Sequence, residues 1–331
     1  MTVEGCGVSG RRSCPLRFFG ALLRGAGQVM FQGSAWTGLF FLCGIAWGAW
    51  SAGRPEIFFG ALLGLVTGTV AACMLGAPRG EVEEGLHGYN GILVGCALPV
   101  FLEGGALCFL LIVLGAMFSS VIMMAVSRVF ASWKVSAMTG PFVFATWFIL
   151  LASYSFSGFD AVALPHPSLP VLPQDRVAFF GAETMLLASL SGVSQVFLIN
   201  DPVTGVLFLV GLAASSPSAA LFGWCGSVVA MLAAMLLGAD GVAVGAGLYQ
   251  FSAVLTAIGM GTTFYHPGWR VLLYTLLATV FTVVAQGALN VALAPLGIPT
   301  LTFPFVIAAW LFLLPHVVLS SAAGGDASPS A

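Results

Sequence analysis

Charged residues are scarce in this sequence, and that scarcity sets the class of protein. They make up 7% of its 331 residues, against 59% for hydrophobic residues, whereas a soluble domain usually carries about 25% charged residues. The range 271–325 contains no Asp, Glu, Lys or Arg. We therefore predict an all-α polytopic membrane protein, because apolar segments of this length need lipid as their solvent. The apolar runs do not alternate with polar residues, which excludes an outer-membrane barrel.

The sequence also lacks the clusters on which most site chemistry depends. Its seven cysteines are scattered without CxxC spacing, so they predict small buried side chains rather than disulfides or a metal site. There is no HExxH or GxSxG motif and no basic cluster, and the net charge is −2. We therefore predict no enzyme activity, no cofactor, no metal and no nucleic-acid partner; an intramembrane enzyme is the disfavoured hypothesis.

The informative features are two short apolar segments. Gly85–Leu98 has fourteen residues and is followed by Pro99, which is expected to end it. As a helix it measures about 21 Å, against a hydrocarbon core of about 30 Å, so it is too short to cross. Gly247–Met260 is the second such segment. Two short segments in matching positions of two halves predict membrane half-helices that line a substrate path.

The two halves of the chain form an internal repeat. Thr139–Leu151 and Thr302–Leu314 lie 163 residues apart and share eight identities in thirteen positions. Gln28 and Gln195, each followed by Val, lie 167 residues apart. Matching blocks in the same order at nearly one spacing indicate that the second half repeats the layout of the first.

Each half is predicted to contain five spanning helices in addition to its half-helix. The ten spans are expected at 18–32, 34–52, 56–76, 105–127, 138–156, 178–200, 203–216, 217–238, 270–289 and 301–320. An odd number per half reverses the second copy, so the repeats are predicted to be inverted. Seven basic residues then fall at cytoplasmic ends and two outside, which places both termini in the cytoplasm. The expected divisions are 1–15 (N-terminal cytoplasmic segment), 16–156 (first repeat), 157–177 (Pro-rich linker), 178–320 (second repeat) and 321–331 (disordered tail).

These motifs resemble the urea transporter family. The resemblance rests on GLHGYNGILVG at 85–95, on the repeated GQV and SQV, and on the paired TGPF and TFPF, and it covers about residues 18–320. It implies a homotrimer with one pore per protomer, between the inverted halves, through which urea passes passively. The positions that match the family's pore residues are Gln28, Val29, Phe31, Tyr89, Leu93, Thr139, Gln195, Val196, Phe251, Leu255 and Thr302. His87 replaces an aromatic residue of the family, and Gln250, Phe251 and Ser252 replace Gly-Tyr-Asn, so the two mouths are expected to differ.

The side chains at these positions suit a flat neutral solute. Urea has four N–H donors and one acceptor, and aromatic and aliphatic side chains can accept its faces. Half-helix carbonyls, the oxygens of Gln28 and Gln195, and the hydroxyls of Thr139 and Thr302 can accept its N–H groups. An unpaired donor in a dry slot costs about 1–3 kcal/mol, so a line of acceptors keeps the barrier low.

Two questions stay open at the level of sequence. The same uncharged lining fits a channel for another small neutral solute, such as ammonia, water or a short amide. Glu183 is the one acid well inside a predicted segment; we expect it to be structural, which favours passive flow over ion coupling. The short loops favour a bacterial inner membrane as the location.

Overall fold

The described residues of the computed structural model, which are 14–159, 161–170, 181–317 and 319, are organised as helices. Their only strand-like feature is an isolated bridge between Leu102 and Ala161. The helices are α1 (Cys14–Gln28), α2 (Ala35–Ser51), α3 (Glu56–Met74), α4 (Arg79–Glu83), α5 (Gly88–Phe101), α6 (Ala106–Phe130), α7 (Gly140–Ala152), α8 (Ala182–Ser194), α9 (Pro202–Ser215), α10 (Pro217–Leu236), α11 (Gly241–Gly245), α12 (Phe251–Ile258), α13 (Trp269–Leu293) and α14 (Phe303–Leu313). The all-α prediction is confirmed. Most of the N-terminal segment, residues 160 and 171–177 of the linker, and the tail lie outside the described residues.

Four helices of the described chain are long and apolar enough to cross a membrane. They are α3, α6 with its 3-10 extension to Trp133, α10, and α13 with its extension to Leu296. A fifth span is present if α8 and α9, which meet at 73°, count as one broken span. The other predicted spans are shorter helices. For example, α14 ends at Leu313 because Pro315 follows and disfavours helical backbone before it.

The first half-helix differs from its predicted bounds in a way that has a physical reason. We expected Gly85–Leu98 with a stop at Pro99, but α5 begins at Gly88 and continues through Pro99 to Phe101. The Arg54 guanidinium donates to Pro99 O and so satisfies a carbonyl that the helix end leaves unpaired. Pro99 has no N–H group, so the helix loses the one bond to Gly95 O, and this loss falls two residues before the helix ends at Phe101.

The second half-helix is also displaced from its predicted bounds of Gly247–Met260. Helix α12 begins at Phe251, and a π-helical turn extends it over Gly259–Thr263. Like α5, the combined helix of 251–263 is apolar and falls short of a full span. Both segments are thus shorter than a full span, but so are α7 and α14, which the sequence predicted to span, so the distinction between half-helices and spans stays a prediction.

Left-handed backbone recurs at matching positions of the two halves. The pairs are Phe31 and Leu198, Gly76 and Gly238, Gly85 and Gly247, Lys134 and Gly297, and Met138 and Leu301. In each pair the two φ angles lie close together, as for Gly85 (82°) and Gly247 (80°). Left-handed conformations are uncommon for residues other than glycine. Their recurrence means that the same turns are built twice.

The halves contact each other through reciprocal hydrogen bonds. Where α2 meets α9, Thr37 Oγ1 donates to Gly211 O at 2.8 Å and Thr204 Oγ1 donates to Gly44 O at 3.0 Å. Where α7 meets α14, two indole N–H groups act in the same way. They are Trp147 Nε1, which donates to Pro299 O at 2.8 Å, and Trp310 Nε1, which donates to Ser136 O at 3.1 Å. Each contact therefore occurs twice, with the roles of the two halves exchanged. Such reciprocal contacts are typical of a two-fold relation.

Helix α3 packs closely against α5 because glycines face each other along the contact. A Cβ added to Gly64 would overlap Gly91 O, and one added to Gly60 would overlap Gly95 O. Small residues that let backbones approach are characteristic of helix contacts in membranes. The close approach of α5 to α3 thus depends on glycine at positions 60 and 64 of α3.

This packing yields a stability prediction. We expect Gly64→Ala to lower the free energy of unfolding by about 1–3 kcal/mol, since the methyl group has no space without backbone movement. Gly287→Ala is the control, because a Cβ there meets no atom within 4 Å and alanine favours helix. Thermal unfolding in detergent measures both. Equal melting temperatures for the two variants would contradict the packing argument.

Candidate permeation site

Thr139 and Thr302 meet at the contact between the two halves. Their hydroxyl oxygens are 2.6 Å apart, and their exposed fractions are 3% and 2%. Each threonine is the N-cap residue of its helix, α7 or α14, and a proline lies at the start of both helices. The left-handed residue before each threonine turns the chain sharply into the helix. The same turn and N-cap threonine occur once in each half, and together they bring the two hydroxyls into contact.

Gln28 and Gln195 hold the turns that precede the half-helices. Gln28 Nε2 donates to Glu84 O at 3.0 Å, and Gln195 Nε2 donates to Ala246 O at 2.9 Å. Because a carbonyl requires a donor, these contacts fix which end of each carboxamide faces the turn. The two amide nitrogens therefore bind the backbone of the turns, and each carboxamide oxygen points away from its turn.

The turns themselves require glycine. A Cβ on Gly85 would overlap Gly25 N, and one on Gly247 would lie 2.7 Å from Gly192 N. Both glycines have left-handed backbone, which other residues adopt at a cost. The glutamine anchors and the glycine turns together set where each half-helix begins.

The predicted apolar residues are largely buried between helices. Val29, Leu93, Val196 and Leu255 have exposed fractions of 2% or less. Phe31 is half-buried, and its ring makes edge contacts with two rings of the second half, at centroid distances of 5.5 Å to Phe264 and 5.9 Å to Phe305.

The aromatic residues of the two half-helices have different environments. Tyr89 is 7% exposed, and its hydroxyl donates to Met138 O at 2.7 Å. Phe251, its counterpart, is 8% exposed and has no hydroxyl, and it lines a cavity. The sequence predicted that the two ends of the path differ. In the structure the surroundings of these two aromatic side chains do differ, since one is hydrogen-bonded to backbone and the other lines a cavity.

A cavity of about 250 Å³ lies between the halves on the α12 side. Four predicted site residues line it: Gln195, Val196, Phe251 and Thr302. Its lining also includes Phe101 and Phe142 from the first half. The other seven predicted residues do not line this cavity: Gln28, Val29, Phe31, Tyr89, Leu93, Thr139 and Leu255. Thr139 is nevertheless joined to it through its bond to Thr302.

Sequence reasoning missed several residues of the cavity. Leu198 lines it and is the counterpart of Phe31, three residues after the matched glutamine; extending the repeat by that step would have found it. Gln286, Asn290 and Thr300 also line it. They carry no repeated motif, and only the folded chain brings them together.

None of the described residues that line the cavity is charged. Ion pairs of the described residues lie elsewhere, between Arg54 and Glu56 and between Arg17 and Glu83. His87 Nε2 also lies outside the cavity, in a hydrogen bond with Glu81 Oε2 at 3.1 Å. Glu183 is exposed in the first turn of α8, where a negative charge is favoured by the helix dipole. An ion entering the cavity would find no opposite charge.

The long and short apolar helices of the described residues define an α-helical integral membrane protein. Residues 19–317 match the family described as urea transporter. The chain is 30% identical to urea transporter 1 of Ovis aries over 306 residues, which are 90% of this chain and 77% of that protein. It is 29% identical to urea transporter 1 of Capra hircus over the same shares, and to that of Rattus norvegicus over 304 residues.

The chain belongs to the urea transporter family. That membership confirms the predicted resemblance and the prediction that the protein is not an enzyme. The relatives named above are mammalian, so they lend no support to the predicted bacterial origin.

Proposed function

We propose that this protein is a passive, channel-like transporter of urea, with its path between the two halves. Family membership supports the solute, and the uncharged cavity lined from both halves supports the location. The observation that carries the proposal is the pair of buried hydroxyls at Thr139 and Thr302, where the two halves meet and where Thr302 lines that cavity. The pair supplies hydrogen-bonding groups between the halves, where both side chains are buried.

The proposed path begins in the cavity and passes Gln195, Val196 and Phe251. The ring and the aliphatic side chains would accept the faces of urea, and the Gln195 carboxamide oxygen would accept an N–H group, since its nitrogen is engaged with Ala246 O. The solute would then separate the two threonine hydroxyls and bond to both. Beyond the threonines, the path would be lined by the remaining proposed pore residues: Gln28, Val29, Phe31, Tyr89, Leu93 and Leu255.

Several features favour passive flow. None of the eleven proposed pore positions is charged, whereas ion-coupled transporters usually carry carboxylates or ion sites within the membrane. Fast passage also requires that no position bind the solute tightly. Neutral side chains that each offer the solute a single hydrogen bond would bind it only weakly, which meets that requirement.

The proposed architecture is two inverted repeats, 16–156 and 178–320, joined by the linker 157–177. The reciprocal bonds between α2 and α9 and between α7 and α14 support a pseudo-two-fold relation between the halves. We further propose ten membrane-crossing segments with both termini cytoplasmic, a homotrimer of the kind that the resemblance implies, and a bacterial inner membrane as the location.

Isotopic urea uptake into liposomes containing the purified protein tests the function. We expect uptake far above that of protein-free vesicles, proportional to urea concentration over a wide range and unaffected by ion gradients. Abolition by a proton uncoupler would overturn passive flow. Uptake of ammonia or acetamide without uptake of urea would instead support a channel for another neutral solute.

A further inference from the structure

A cluster of three polar side chains adjoins the cavity; we name it the Gln286 cluster (Gln286, Asn290 and Thr300). Gln286 Nε2 donates to Thr300 Oγ1 at 2.6 Å and to Asn290 Oδ1 at 3.0 Å. All three residues line the cavity that also holds Phe251. The cluster joins α13 to the segment just before α14, and so stands beside the proposed path.

One atom of this cluster lacks a partner. Gln286 is 3% exposed, and its Oε1 makes no hydrogen bond within the described residues. In the structure the Gln286 amide nitrogen faces both Asn290 Oδ1 and Thr300 Oγ1, which leaves the oxygen as the unpaired atom. Leaving a buried polar atom unpaired costs about 1–3 kcal/mol, and native structures rarely accept that cost without a reason.

The corresponding positions of the first half hold a different cluster, built around a methionine sulfur instead of a carboxamide. A spacing of 163 residues, the one that relates Thr139 to Thr302, aligns Gln286, Asn290 and Thr300 with Met123, Ser127 and Ala137. Met123 Sδ lies 3.7 Å from the Tyr89 hydroxyl and 3.8 Å from Asn90 Nδ2. Ser127 Oγ also lies 3.8 Å from this sulfur, so the acceptor atom of the first half has donors within the protein, whereas Gln286 Oε1 has none within the described residues.

We propose that the Gln286 cluster is a recognition subsite for planar solutes that carry amide N–H groups, present at one mouth only. Gln286 Oε1 accepts an N–H group of the entering solute, while Asn290 and Thr300 hold the carboxamide in place. The acceptor replaces a water molecule that the solute loses on entry, before it reaches Thr302. This inference rests on the proposed function, because it assigns the subsite to the same permeating solute.

Competition against isotopic urea flux tests the subsite. Acetamide carries N–H groups and N,N-dimethylacetamide carries none, although both have the same carbonyl. In Gln286→Met, we expect the half-inhibitory concentration of acetamide to rise about fivefold, the equivalent of one lost hydrogen bond. Inhibition by N,N-dimethylacetamide is expected to be unchanged.

Met123→Leu is the matched control at the corresponding position of the first half, and both inhibitory concentrations should change less than twofold. An unchanged acetamide value in Gln286→Met would overturn the subsite. An equal rise for both inhibitors would also overturn it, since that indicates general damage to the cavity.

The failure of the proposed function is distinguishable from the failure of this inference. If the wild-type protein carried no urea, the proposed function would fall, and acetamide binding to the detergent-solubilised protein would still test the subsite. Saturation-transfer NMR should then show about fivefold weaker acetamide binding in Gln286→Met than in the wild type. Equal binding by the two proteins would overturn the inference.

Discussion

Replacing both Thr139 and Thr302 with valine is expected to slow urea flux by about 10- to 100-fold. Valine has nearly the shape of threonine but no hydroxyl, so a solute N–H group at this depth is left without an acceptor. That loss costs about 1–3 kcal/mol, and each 1.36 kcal/mol added to a barrier slows passage tenfold. Stopped-flow or isotopic flux with vesicles of equal protein content measures the change.

The single variants provide the control for this prediction. Because the two hydroxyls bond to each other at 2.6 Å, removing one leaves the other available to the solute. We expect Thr139→Val and Thr302→Val each to slow flux by less than the double variant, with effects that do not simply add. Wild-type flux in the double variant would show that the path avoids this pair.

Replacing Gln195 with glutamate is expected to make flux strongly dependent on pH. Gln195 Nε2 donates to Ala246 O, and a protonated carboxyl group can donate to the same oxygen. An ionised carboxylate cannot donate, and it repels the carbonyl oxygen it faces. Flux and thermal stability of Gln195→Glu should therefore be highest at acid pH and fall as the pH rises, with roughly a tenfold loss of flux by pH 8.

Gln195→Met separates this effect from a general loss of packing. Methionine has a similar length but neither donates nor titrates, so its flux is expected to be reduced by the same factor at every pH. Flux measured between pH 4.5 and pH 8 distinguishes the two variants. A flat profile for Gln195→Glu would mean that the side chain at position 195 faces neither the turn nor the path.

The repeat is the reason that much of the site could be predicted. Helical spacing and segment length identified two short membrane helices, and the paired glutamines and threonines marked corresponding positions in the two halves. These are local features, since a half-helix is recognisable from its own length and its own apolar residues. In the structure both helices are shorter than a full span, and the two threonine hydroxyls are in contact.

Other features could not be read locally. Helix α5 continues past Pro99, and the guanidinium of Arg54, which lies 45 residues earlier in the chain, donates to Pro99 O near the helix end. The role of the glutamine side chains was only half predicted, because their nitrogens bond to carbonyls more than 50 residues away. The Gln286 cluster has no motif at all and joins residues from two separate elements.

The sequence by itself determined that this protein lies in a membrane, that its two halves share one plan and that it belongs with the urea transporters. Composition and repeated motifs carry that information because they follow from the solvent and from local backbone preferences. Only the tertiary structure decided which atoms meet, such as the two threonine hydroxyls from separate halves, and which atom is left unpaired beside the cavity. Those outcomes depend on contacts between distant parts of the chain, whose distances no local pattern specifies.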